Sequence, residues 1–179
     1  MKTKHTISIF AENEVGLLHR VIIIFTRRHI NIESINASES ETKGVHRFTI
    51  VVDEDEEQVR KVVKQIEKQV EVIKAFYHTD EETVFQEVAL YKLSIDALKN
   101  GFDLEQIVRE NNARLLTMDP SFIIIEKTGH KDETQALFRV LRPYGLLEFV
   151  RSGRVSLTRT TENVSQYLKE LEIAQNESC

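Results

Sequence analysis

A chain of 179 residues is long enough for one ordinary domain or two small ones. Its 41% hydrophobic and 30% charged residues are those of an ordinary globular protein, and a formal net charge of -5 leaves no overall basic field for nucleic acid or an anionic membrane. The one cysteine, Cys179, excludes an intrachain disulfide and fits a reducing compartment.

Residues 5–10 alternate, with Ile7 and Ile9 on one face, and predict a strand. A polar turn at 11–16 leads into a helix at 17–29. There Leu18, Val21, Ile22 and Phe25 recur at i, i+3, i+4, i+7, while Leu17, Ile23 and Ile24 fall outside that stripe. A helix apolar on more than one face is expected to pack on its own sheet and on a second copy of the chain. Its apolar run at 21–25 is far shorter than the roughly 20 residues of a membrane helix, and His19, Arg20, Arg27 and Arg28 flank it. Residues 1–5 carry no apolar signal-peptide core, so the expectation is a cytoplasmic protein with no membrane partner.

Strands follow at 31–38 and 45–53, separated by a polar loop. The acidic residues 53–57 suit a helix start, and Val59, Val62, Val63 and Ile66 mark that second helix. A strand at 70–77 completes the order βαββαβ, a ferredoxin-like α+β sandwich whose second strand lies at a sheet edge. A charged stretch without period makes 79–86 a linker between domains at 1–78 and 87–179.

Beyond it, strands are expected at 88–95, 113–118, 122–126, 146–151 and 155–159. Asp103 caps a helix bearing Leu104, Ile107, Val108 and Asn111. A second helix at 132–142 carries Ala136, Leu137, Val140 and Leu141, Asp119-Pro120 is a breaker, and a last helix is expected at 161–172. The second half thus reads as another βαββαβ unit, a repeat of architecture without a repeat of residues.

No catalytic constellation is present: no metalloprotease helix, nucleophile elbow, phosphate loop or dinucleotide fingerprint. The six histidines lack metal-ligand spacing. The turn at Gly16 is the exception. A glycine between strand and helix permits a tight backbone, the first helical N–H groups attract a carboxylate, and Asn13 offers an amide to a carboxylate or an ammonium. The bland alternative, that Asn13 and Gly16 merely form a turn, stands level with it on these residues alone.

The run 13–34, NEVGLLHRVIIIFTRRHINIES, resembles the ACT domain of acetolactate synthase (acetohydroxyacid synthase) small regulatory subunits. Asp119-Pro120-Ser121 and the string 150–159, VRSGRVSLTR, resemble the C-terminal domain of the same family. The resemblance implies a non-catalytic subunit of branched-chain amino-acid biosynthesis. Such a subunit dimerises through its ACT domain, activates a large catalytic subunit and conveys feedback inhibition by valine or a related amino acid. Thiamine diphosphate, Mg²⁺ and FAD then belong to the large subunit, with no cofactor or metal on this chain. It also implies a ligand site between copies, with Asn13, Gly16 and Leu17 on one side and Asn31 and Ile32 on the other. Arg20 and Arg28 read as surface charges. The chain departs from the family pattern at His19, Ile23, His29-Ile30, Asn36 and Ser38. Its rivals are a free-standing amino-acid sensor, which would not co-purify with a thiamine-dependent enzyme, and an RNA-binding sheet. The residues 44–52 hold only one aromatic, Phe48, against the latter.

Overall fold

The computed structural model describes residues 2–101 and 103–160, so the helix expected at 161–172 lies outside the described residues. The described chain falls into two compact units, one comprising residues 2–84 with 156–160 and the other Phe85–Val155.

In the first unit the elements are β1 (Thr3–Glu12), α1 (Leu17–Arg27), β2 (Ile32–Glu39), β3 (Val45–Glu54), α2 (Glu56–Ile66) and β4 (Val72–Thr79). The sheet order is β2-β3-β1-β4, and all three pairings are antiparallel. Both helices pack on one face, over Ile7, Ile9, Ile50 and Val52, each fully buried. Strand β1 is central and buried on both faces: Thr6, Ser8 and Phe10 are as enclosed as Ile7 and Ile9. Strand β2 is an edge, as expected from the βαββαβ order.

The second unit repeats this plan. Its elements are β5 (Thr83–Ser94), a 3₁₀ turn (Ile95–Asn100), α3 (Leu104–Glu110), β6 (Arg114–Met118), β7 (Phe122–Gly129), α4 (Lys131–Leu141), a 3₁₀ turn (Arg142–Tyr144) and β8 (Leu146–Arg151), and the short β9 (Val155–Thr158) begins at the unit's last residue and falls mostly in the first unit. The order β6-β7-β5-β8 matches the first sheet strand for strand, and β9 also pairs with β5. Both units are ferredoxin-like α+β sandwiches.

Three expectations are corrected. The linker at 79–86 is mostly strand: β4 ends at Thr79 and β5 begins at Thr83, leaving residues 80–82 between them. Glu82 closes that turn by accepting hydrogen bonds from the Thr79 backbone and hydroxyl, at 2.8 and 3.0 Å. The buried stripe of α1 is Leu17, Val21, Ile24 and Phe25, while Ile22 is 37% exposed. The two candidate stripes share Val21 and Phe25 and differ by a rotation about the helix axis; the sheet beneath decides between them, so Leu17 and Ile24 form no face for a second copy. In α4 the buried residues are Thr134, Leu137 and Leu141, and Val140 is exposed.

Both units end their first helix in the same way. His29 adopts φ 56 and Asn112 φ 47, left-handed conformations usually taken by glycine. In each case two backbone bonds close the motif: His29 to Thr26 and Ile30 to Phe25 at 3.0 and 3.1 Å, and Asn112 to Arg109 and Ala113 to Val108 at 3.3 and 2.9 Å. Histidine and asparagine tolerate this region better than most side chains. The VRSGRVSLTR string is β8, a three-residue break and β9. In the break the Ser152 N–H donates to the Val88 carbonyl at 2.8 Å. The Ser152 hydroxyl accepts from the Val88 N–H at 2.9 Å. Arg151 pairs with the buried Glu87 at 3.2 Å, and Arg154 lies 3.5 Å over the Phe85 ring.

Candidate functional site

The turn from β1 to α1 is built by backbone. The Asn13 N–H donates to the Gly44 carbonyl at 3.2 Å, tying the turn to the β2–β3 hairpin. The Glu14 N–H donates to the Glu12 carbonyl at 2.9 Å and the Leu17 N–H to the Glu14 carbonyl at 3.3 Å. Gly16 sits at φ 85, ψ -5, and its carbonyl accepts the first helical bond, from Arg20, at 3.1 Å. A side chain at Gly16 would point into open space, with nothing within 4 Å of its Cβ.

That geometry defines what the helix end offers. An α-helix leaves its first N–H groups without intrahelical partners. Here no side chain caps α1 and no acidic residue stands in its first turn. The Leu17 N–H is already engaged with Glu14, which leaves Leu18 and His19 as the donors at the helix mouth. The other helices of the described chain carry acids there: Glu56 and Glu57 in α2, the Asp103 cap in α3, Asp132 and Glu133 in α4. The dipole end of α1 is thus the one without built-in negative charge.

Of the expected site residues, Asn13 and Gly16 are exposed at this turn, whereas Leu17 is 1% exposed and anchors the helix in the core. Asn31 and Ile32 lie at the other end of α1. Asn31 is exposed, and Ile32 is half-buried, opposite Val52 at the start of the edge strand. An 11-residue helix is about 16 Å long. Within one chain the structure therefore brings Asn13 and Gly16 together and holds Asn31 and Ile32 a helix length away.

Arg20 and Arg28 are engaged inside the chain. Arg20 forms an ion pair with Glu71, ahead of β4. Arg28 donates to Gln65 of α2 through Nε and Nη2, at 3.2 and 3.1 Å. Sequence reasoning pointed to the N–H groups at the helix start without naming Leu18 and His19; which of them stay free is set by the fold, because the Leu17 N–H is taken by the Glu14 carbonyl. It also missed Gly44, whose carbonyl fixes Asn13. Among the described residues no group of three or more His, Cys, Asp or Glu could hold a metal ion, and no helix is long and apolar enough to cross a membrane. A shallow hollow in the second unit lies over Val88, Leu90 and Leu116, beside the Arg114–Glu126 ion pair.

Comparison with known proteins agrees along the chain. Residues 7–74 match a family model described as the AHAS small subunit-like ACT domain, and residues 86–160 match one described as the small subunit of acetolactate synthase. The acetolactate synthase small subunit of Mycobacterium bovis is 37% identical over 155 residues, covering 87% of this chain and 92% of that protein. The Bacillus subtilis acetolactate synthase small subunit is 33% identical over 171 residues, covering 95% and 99%. A crystal structure of the acetolactate synthase small subunit from Thermotoga maritima superposes with a TM-score of 0.79 at 31% identity, covering 88% of this chain and 98% of that one. On sequence, fold and coverage together, the chain belongs to the acetolactate synthase small subunit family.

Proposed function

We propose that this chain is the regulatory partner of a large catalytic subunit of acetolactate synthase, raising its activity and conveying feedback by valine or a related branched-chain amino acid. The chemistry, with thiamine diphosphate, Mg²⁺ and FAD, belongs to the large subunit, and the two work in the cytoplasm. The sensing role falls to the N-terminal domain, residues 1–78.

One observation carries the reading: α1 begins at an uncapped, acid-free N-terminus behind a left-handed glycine. An amino-acid carboxylate is the anion that such an end accepts, on the N–H groups of Leu18 and His19. Asn13 at the same turn supplies a polar contact. The remaining polar contact comes from Asn31 and the start of β2. Because α1 holds these apart within one chain, they meet the carboxylate end only across a homodimer in which each β2 edge lies along the other. Binding then favours one dimer arrangement, which holds the large subunit differently. The shift is as large as the ligand's difference in affinity for the two arrangements.

The test is calorimetric titration of the purified chain with valine, leucine and isoleucine, followed by reconstitution with the large subunit. Saturable binding of one of them, with one site per α1 mouth, and inhibition of the reconstituted complex over the same concentration range are expected. Absence of binding to all three, in a chain that still activates the large subunit, refutes the sensing role.

A further inference from the structure

We propose that β6 is a second self-association edge, pairing antiparallel with β6 of another copy of this chain about a two-fold axis near Leu116. The inference stands on the second unit alone and does not depend on the amino-acid site.

β6 is the outermost strand of its sheet, so among the described residues one row of its backbone N–H and C=O groups has no strand beside it. Unpaired edges template further pairing, and chains blunt them with charge and polar side chains. The counterpart edge β2 is mostly polar, with Glu33, Ser34, Asn36, Ser38 and Glu39 filling most of it. β6 reads Arg-Leu-Leu-Thr-Met, and every residue of it is exposed. Leu115, Leu116 and Met118 are 40%, 47% and 51% exposed.

The apolar surface lies on both sides of the strand. Leu115 and Met118 stand opposite Ile125 and Ile123 of β7, two fully buried core residues. They point toward the layer that α3 should cover, yet α3 is only seven residues long and has no buried residue. Leu116 borders the hollow on the other face with Val88 and Leu90. Another strand laid along β6, bringing its own short helix, would satisfy the backbone row and cover these leucines at once. A copy of β6 fits by charge as well. Antiparallel pairing centred between Leu116 and Thr117 sets Arg114 of each copy opposite Asp119 of the other, an attraction made twice by the symmetry.

The test uses the full-length chain with Cys179→Ser, which removes the native thiol, and Leu116→Cys. Mild oxidation at micromolar concentration should give a covalent dimer at least tenfold faster than Val70→Cys, a 96% exposed control site in the first unit. Met118→Lys, at an exposed position that the fold does not need, should slow the cross-link at least tenfold while the far-UV spectrum stays unchanged. It should also weaken self-association in sedimentation. Cross-linking of Leu116→Cys no faster than the control overturns the proposal. So does a cross-link formed only to the large subunit of the reconstituted complex, which would assign this edge to that partner.

Discussion

Gly16→Asp tests the placement of the carboxylate site. The substitution puts a Cβ and a negative charge at the mouth of α1. The new Cβ meets nothing within 4 Å, so packing is undisturbed. The backbone cost comes from φ 85, where a side chain is disfavoured by about 1–2 kcal/mol, with aspartate among the better tolerated residues. The electrostatic cost to the ligand is larger. Two negative charges about 4 Å apart repel by roughly 4 kcal/mol at an effective dielectric near 20. At 1.4 kcal/mol per tenfold this is close to a thousandfold loss of amino-acid affinity. Gly16→Asn carries the same backbone cost without the charge, so the difference between the two variants isolates the electrostatics. The assay is an inhibition curve for each variant reconstituted with the large subunit, read beside its activation of that subunit. Gly16→Asp should activate normally and resist feedback, while Gly16→Asn should keep most of its sensitivity. An unchanged inhibition constant for Gly16→Asp in a folded, activating complex would show that the carboxylate does not bind at this helix end.

Four further outcomes follow from the same geometry. Asn13→Ala should weaken amino-acid binding by only about 0.5–1.5 kcal/mol, the worth of a neutral hydrogen bond, measured by the same inhibition curve. His29→Gly should raise the urea midpoint, because it removes the strain of a side chain at φ 56; the gain is about 0.5–1 kcal/mol after the added flexibility of glycine is discounted. Tyr91→Phe should cost about 1–3 kcal/mol in the same assay, since the Tyr91 hydroxyl donates to the Thr134 carbonyl at 2.6 Å in the core and nothing replaces it. Burial pushes the Tyr91 hydroxyl up to about 12 from its ordinary value of 10.0, so the folded chain keeps a proton that the unfolded chain releases; Tyr91 therefore contributes a loss of stability as pH rises from 10 toward 12, and Tyr91→Phe should flatten that fall in denaturation midpoints.

The fold was legible in the sequence because its signals are local. Alternation at Ile7 and Ile9, the Val59–Val62–Val63–Ile66 stripe and the Asp119-Pro120 breaker each specify one element and need no knowledge of the rest. What was not legible depends on what lies across the chain. Leu18–Val21–Ile22–Phe25 and Leu17–Val21–Ile24–Phe25 are equally regular stripes, and only the position of the sheet selects the second. Thr134 was passed over in α4 because a hydroxyl counts as polar in a pattern. In the structure its side chain is satisfied by the Lys131 carbonyl at 3.1 Å, and the residue is fully buried. Residues 79–86 looked like a linker because Asp80, Glu81 and Glu82 are charged, yet strand continues on both sides of them. Of the candidate site, Gly16 and the N–H groups at the helix start were readable from chemistry. That the Leu17 N–H is already taken by the Glu14 carbonyl, leaving Leu18 and His19, was not, because that bond exists only in the folded turn.

Helix α1 holds Asn13 and Gly16 a helix length from Asn31 and Ile32, so in the proposed homodimer each chain would carry half of one site at its first turn and half of another at its last. Sensing would then be second order in the protein. At dilutions where that dimer fell apart, the chain would be deaf to the amino acid, however much was supplied. Conversely, the amino acid would act as a glue whose strength grows with the abundance of the subunit. A cell that lowers its stock of this chain would dull the feedback before it lost the fold.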